Sequence, residues 1–291
     1  MLDGFLNVYK EQGYTSFDVV AKLRGILKQK KIGHTGTLDP MAEGVLLVCL
    51  GQATKLSEML IDKDKTYRCV MLLGKTTDTE DVTGKVLTET ADIPDEASVI
   101  EAVNSFIGTY GQIPPMYSAI KVNGKKLYEL ARKGREVERK PRSITIHELE
   151  LLEGEGTEFT LRVRCSKGTY VRTLCHDIGQ SLGCGGCMSS LRRTRAGRFT
   201  LEQAVTMEQI LAFAQEHDPA ELLMPVDALF AQHPALIVTL GQTEKLKHGA
   251  AIRDWHFADG TYRVYSETGE FLLLGTVKGQ ILTTVKSFFE V

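Results

Sequence analysis

No stretch of the 291-residue sequence is apolar over the length that a membrane span needs. The opening Met1-Leu2-Asp3-Gly4 has neither a basic region nor a long apolar run, so no export signal is expected. In a chain without one, the six cysteines (Cys49, Cys69, Cys165, Cys175, Cys184 and Cys187) are expected to be reduced thiols in the cytoplasm. Only Cys184 and Cys187 form a C-x-x-C pair. With Cys175 and His176 just upstream, that pair could hold zinc. A second pair at finger-like spacing is missing, and so is the His-x-Glu motif that zinc deaminases carry. The expectation is therefore no metal. Internal repeats and low-complexity segments are also absent.

What is present is ordinary in amount and uneven in distribution. Apolar residues make up 43% and charged residues 25% of the chain, as in a typical globular protein. The length allows one large domain and one small one. A net charge of −2 conceals two basic segments: +6 between Tyr117 and Ser143, and +7 between Arg162 and Arg198. An otherwise acidic chain with two such segments is expected to bind a polyanion on one face, unless both runs are simply solvated.

The most informative stretch is Gly33-His34-Thr35-Gly36-Thr37-Leu38-Asp39-Pro40-Met41-Ala42-Glu43-Gly44. Glycine permits backbone angles closed to other residues, and Pro40 steers Asp39 away from helical angles. The pattern predicts a tight loop presenting one carboxylate. The following run Val45–Leu50 reads as a buried strand. Such a loop is either a catalytic position or a plain turn.

Elsewhere the sequence predicts strands at 4–10, 65–74 and 159–165. Helices are predicted after Thr15-Ser16-Phe17-Asp18, over 52–60, after Asp95, from Lys125 to Lys133, beyond Tyr170, and from Thr206 to about His217. The helix after Asp95 is expected to bury Val99, Ile100, Val103, Phe106 and Ile107. Residues 112–142, marked by Pro114-Pro115, Gly124 and Gly134, read as an excursion from the core with basic side chains outward. There Lys121, Lys125, Lys126, Arg132 and Arg135 could neutralise phosphates. A domain boundary is placed near Pro234, dividing 1–233 from a small β-rich module at 234–291.

Gly-His-Thr-Gly-Thr-Leu-Asp-Pro followed by Ala-Glu-Gly-Val-Leu resembles the catalytic signature of the TruB family of tRNA pseudouridine synthases. Four more segments, lying between Lys65 and Phe199, are similar to that family's pattern: Lys65-Thr66-Tyr67-Arg68, Thr77-Asp78-Thr79-Glu80-Asp81, Lys167-Gly168-Thr169-Tyr170-Val171-Arg172, and Leu191 to Phe199. The resemblance implies an α+β fold: a mixed, largely antiparallel central sheet with flanking helices, and a PUA-like RNA-binding domain at the C-terminus. It implies isomerisation of the T-loop uridine 55 of tRNA to pseudouridine by a monomer, without a cofactor or membrane partner. Asp39 would act at the ribose. Arg172 would pair with it, and Tyr67 would stack in the site and serve as general base. Tyr170 would pack beside the target base, Leu191 against the uracil face and Asp81 near the uracil edge. His34 would occupy or support the space the flipped base vacates, or simply bond to backbone. Residues 112–142 would be a thumb that grips the T arm. The competing class is a tRNA-binding module whose loop is only structural.

Overall fold

The computed structural model describes residues 1–61, 63–253 and 256–289. Three segments build the first part of the main sheet. Strand β1 (Gly4–Lys10) leads through helix α1 (Ser16–Ile26) to β2 (Ile32–His34) and β3 (Glu43–Leu50). Helix α1 starts where the sequence predicts: Thr15 and Asp18 close a reciprocal capping box, satisfying two amide donors that the first turn leaves free. A 3₁₀ turn (Gly51–Leu56) and α2 (Ser57–Ile61) occupy the predicted helix at 52–60. They are followed by β4 (Lys65–Leu73), the small hairpin β5 (Lys75–Thr77) and β6 (Val86–Glu89), α3 (Glu96–Ser105) and β7 (Gly108–Gln112). In α3 the side chain of Asp95 caps Ser98 as expected. The helix buries only Val99 and Val103, one i,i+4 stripe; Ile100 and Ile107 remain exposed.

The thumb segment departs from the predicted helix at Lys125–Lys133. Strands β8 (Lys121–Val122) and β9 (Lys125–Lys126) pair as a hairpin, and only α4 (Leu127–Ala131) is helical. Asn123 and Gly124 have φ of 50° and 79°, the left-handed pair that a two-residue hairpin turn requires. Then come β10 (Arg142–Glu155), β11 (Glu158–Cys165), α5 (Val171–Ser181), β12 (Gly186–Ala196), β13 (Phe199–Thr200) and α6 (Met207–Glu216). Among the described residues nine strands form the main sheet, ordered β1-β3-β12-β4-β11-β10-β7, with β2 on β3 and β13 on β12. All pairs are antiparallel except β3 with β12. The expected mixed, largely antiparallel sheet is what the chain forms.

One face of this sheet is packed under α3 and α5 around Met71, Leu161, Leu174 and Ile178. Over β4, β11 and the middle of β12 the other face is wet and carries a charge ladder. Arg162, Arg68 and Arg192 lie directly across from one another on β11, β4 and β12. Each pairs with a glutamate: Glu150 for Arg162, Glu153 for Arg68 and Glu43 for Arg192. Arg164 likewise holds Glu148 and Asp64. Much of the +7 segment is thus neutralised within the sheet or buried, as Arg172 and Arg193 are. It does not form one continuous basic face.

Beyond Pro234 a second sheet, β14-β15-β16-β17, is formed by β14 (Ala235–Val238), β15 (Gly260–Ser266), β16 (Phe271–Lys278) and β17 (Ile281–Ser287), with α7 (Leu240–Lys247) after β14. It docks on the first unit through a shared apolar cluster in which Phe5, Leu47, Phe199 and Phe230 meet Leu274 and Phe288. Among the described residues no helix is long and apolar enough to cross a membrane.

Candidate active site

The loop between β2 and β3 is pinned at many of its backbone groups. Arg193 Nη2 donates to Gly36 O at 3.1 Å, and Ser16 Oγ accepts from Leu38 N at 2.9 Å. Gly13 N donates to Pro40 O at 2.8 Å. Lys10 Nζ donates to Ala42 O at 2.5 Å and Pro40 O at 3.4 Å. Lys10 is fully buried, and burial pushes its ammonium down to about 8, against the pull of nearby Asp39. The strand that follows is buried from Gly44 to Leu50, which gives the loop an immobile base. Of the three loop glycines, Gly44 is the one that needs to be glycine: at φ +103° a Cβ would lie 2.3 Å from Arg193 O. Gly33 sits in regular β2, so the expectation of special backbone angles does not extend to it.

The side chain of Asp39 emerges from this loop 37% exposed. Its Oδ2 lies 3.0 Å from Nε of Arg172, whose side chain is 5% exposed. Arg172 is the second residue of α5, and its guanidinium is held on every side. Nη1 donates to Thr79 O at 2.9 Å and meets Asp81 Oδ2 at 3.5 Å; Nη2 donates to Tyr117 O at 2.9 Å. One planar group therefore joins four segments that are distant in sequence. Asp81 is buried. Its Oδ1 accepts from Thr79 Oγ1 and from the backbone and hydroxyl of Thr83. Both oxygens are thus engaged, and the carboxylate stands behind Arg172 instead of lining the cleft in front of it.

That cleft has a volume of about 370 Å³ and is lined by Asp39, Tyr67, Tyr117, Tyr128, Tyr170, Arg172 and Leu191, among others. Tyr67 lies on β4, directly across from Arg193 on β12 and Val163 on β11. Burial raises its phenol above the ordinary value, and the Arg193 guanidinium offsets part of that rise. At neutral pH it is a phenol, suited to stacking; acting as a base requires it to give up its proton first. Tyr170 precedes α5, and burial raises its phenol too. Its backbone N–H and C=O are both held by the Gln112 side-chain amide, which joins the Lys167–Arg172 segment to the root of the thumb.

His34 does not line the cleft. Gly36 N donates to its Nδ1 at 3.4 Å, and burial, with Arg193 nearby, lowers its pKa so that the ring is neutral. Lys125 and Arg132 are exposed on the thumb. Lys126 donates to Tyr128 O–H at 3.2 Å, and Lys126 and Arg132 both lie near the Tyr128 ring, with centroid distances of 5.4 and 5.3 Å. Cys184 and Cys187 are buried free thiols. Burial pushes the Cys187 thiol up to about 11. Among the described residues no group of three or more His, Cys, Asp or Glu side chains could hold a metal.

Comparison with known proteins follows the same lines as the geometry. The profile of the TruB family pseudouridylate synthase N-terminal domain matches residues 24–171. That of the tRNA pseudouridylate synthase B C-terminal domain matches residues 172–231. The chain belongs to the TruB family. The tRNA pseudouridine synthase B of Lachnoclostridium phytofermentans is 53% identical over 264 residues, covering 88% of this chain and 86% of that protein. The protein of the same name in Clostridium kluyveri is 42% identical over 292 residues, 99% of this chain and 100% of its own length. Among solved structures, a chain of a Cbf5-Nop10-Gar1 complex superposes with a TM-score of 0.72 at 28% identity, over 99% of this chain and 85% of that one.

In this TruB chain the two matched segments meet between Val171 and Arg172, inside the site and not at a gap in the fold. Several residues that build the site went unassigned at the sequence level. Lys10 ends a strand, Gln112 starts the thumb, Arg193 lies within the Leu191–Phe199 segment and Glu80 fills the open position of the Thr77–Asp81 segment. Only Arg193 and Glu80 carried a signal, their places in those two segments.

Proposed function

We infer that this protein is a tRNA pseudouridine synthase that isomerises the T-loop uridine 55 of its substrate. The single observation carrying this reading is the 3.0 Å pair between Asp39 and Arg172 at the wall of an aromatic-lined cleft. The reaction breaks the C1′–N1 bond, joins C1′ to C5, releases the C5 proton and returns a proton to N1. Electrons and atoms balance within the nucleotide, so no redox or group-carrying cofactor has a part in it.

A stacked T-loop uridine has to be flipped to enter such a cleft. Asp39, aimed by Arg172, acts at the ribose, as nucleophile at C1′ or as base at C2′. Tyr67 stacks on the base and takes part in removing the C5 proton; Tyr170 and Leu191 enclose the uracil. Asp81 serves this site through Arg172. His34, neutral and bonded to its own loop, supports the space that the flipped uridine vacates. Lys125, Lys126 and Arg132 hold T-arm phosphates from the thumb, giving affinity without reading sequence. The C-terminal sheet acts as a PUA-like RNA-binding unit, and the enzyme works as a monomer in the cytoplasm.

The test is release of tritium from a tRNA transcript labelled at uracil C5, beside a transcript with cytidine at position 55. Release from the first and its loss in the second are expected. A wild-type protein that binds tRNA and releases no tritium would be a binding module instead.

A further inference from the structure

The Thr79-Glu80-Asp81 turn meets α5 at two adjacent residues. Arg172 takes Thr79 O and Asp81 Oδ2. Thr173, the next residue, donates from Oγ1 to Glu80 Oε2 at 2.5 Å. Glu80 is also the residue at which the turn reverses. Its φ is +63°, a left-handed backbone that side-chain residues adopt rarely. Its carbonyl accepts from Met188 N at 3.0 Å, and Val82 N donates to Met188 O at 3.0 Å, fixing the turn to β12. This reversal is what turns Thr79 O and the Asp81 carboxylate toward the same guanidinium. Around the Glu80 carboxylate stand Thr173, His176, Arg172 and Arg139. Burial raises its pKa, while the threonine hydroxyl and the neighbouring His176, Arg172 and Arg139 hold it down.

We propose that Glu80 is a positioning residue for the reaction: through Thr173 it clamps the 79–81 turn to α5, so that Thr79 and Asp81 hold Arg172 against Asp39. Without the clamp the turn still pairs with β12, and among the described residues its remaining hydrogen bonds to the helix that carries Arg172 are those of Arg172 itself. Arg172 could then swing with the turn, and the aim of Asp39 would loosen. Glu80 does not line the cleft, so binding should survive its loss while the chemical step slows. This inference rests on reading Asp39 and Arg172 as the reacting pair.

The test separates the side chain from the backbone. Glu80→Gly suits the left-handed φ, so the turn keeps its shape and loses only the carboxylate. Its single-turnover rate of tritium release should fall about tenfold or more, with KM for tRNA within about twofold. Glu80→Gln, whose amide oxygen still accepts from Thr173, should recover most of the rate. Thr173→Val should reproduce the loss, Thr173→Ser should not, and Glu80→Gly with Thr173→Val should be no slower than either alone. A Glu80→Gly protein that turns over at the wild-type rate overturns the proposal, whatever its melting temperature; so does equal loss in Glu80→Gly and Glu80→Gln. If Glu80→Gly does not fold, the Thr173→Val and Thr173→Ser pair decides by the same criterion. Asp39→Asn is run in parallel. If it keeps turning over, the reading of the reacting pair fails; if it is inactive while Glu80→Gly is normal, only the clamp fails.

Discussion

Arg172→Lys keeps the charge and removes the planar fork. The guanidinium reaches Asp39, Thr79 O, Asp81 and Tyr117 O, all within 3.5 Å. An ammonium is a point donor and can satisfy one or two of these at once. Two half-buried carbonyls, on Thr79 and Tyr117, then lose this donor, each net hydrogen bond contributing about 0.5–1.5 kcal/mol, so unfolding free energy should drop by about 1–3 kcal/mol. The rate should suffer more than binding does. A reacting group displaced by about 1 Å costs on the order of a hundredfold in rate, equivalent to about 2.7 kcal/mol of barrier. The assay is single-turnover tritium release, with tRNA affinity from filter binding and stability from thermal unfolding. A variant that reacts within about threefold of wild type would refute the idea that the fork aims Asp39.

Tyr67→Phe removes one hydroxyl from a packed strand; if the phenol takes part in moving the C5 proton, tritium release should fall by about a hundredfold with tRNA affinity kept, and a near-normal rate would leave Tyr67 a stacking residue only. Neutralising Lys125, Lys126 and Arg132 together should weaken tRNA binding and flatten the salt dependence of its logarithm by about one unit per lost phosphate contact, with little effect on melting. Burial pushes Asp177, which accepts from Tyr110 O–H at 3.4 Å, up to about 6. The folded protein therefore holds a proton there that the unfolded chain has released, and this stabilisation is lost as pH rises through 6. Asp177→Asn should accordingly exceed wild type in stability by about 1–2 kcal/mol at neutral pH, with the gap closing toward about pH 4 in pH-dependent unfolding.

What the sequence made legible was local. The capping boxes at Thr15 and Thr206 and the Asp95 cap announce their helices because each is a contact between residues three apart. The alternation of β4 and β11 shows because one face packs and the other is wet. Two long strands escaped. β12 opens on Gly186 and small residues, and it fits there because Gly179 of α5 has no Cβ: one would lie 2.2 Å from Gly186 N. β10 is rich in glutamates that make sense only once Arg68, Arg162 and Arg164 lie across from them. The same limit applied at the site. The motifs pointed to Asp39, Arg172, Tyr67, Tyr170 and Leu191, and the fold brings all five to one cleft. The supports at Lys10, Gln112 and Glu80 act through partners 30 to 93 residues away, and no spacing along the chain encodes that.

The measurement that bears most directly on the whole scheme is tritium release by Asp39→Asn under single-turnover conditions, paired with tRNA binding. The asparagine keeps the shape and can still accept from Arg172, but it has no charge with which to act at the ribose. The expected result is a folded protein with near wild-type tRNA affinity and no detectable pseudouridine. Substantial turnover by Asp39→Asn would contradict it and reduce the Gly33–Gly44 loop to a turn.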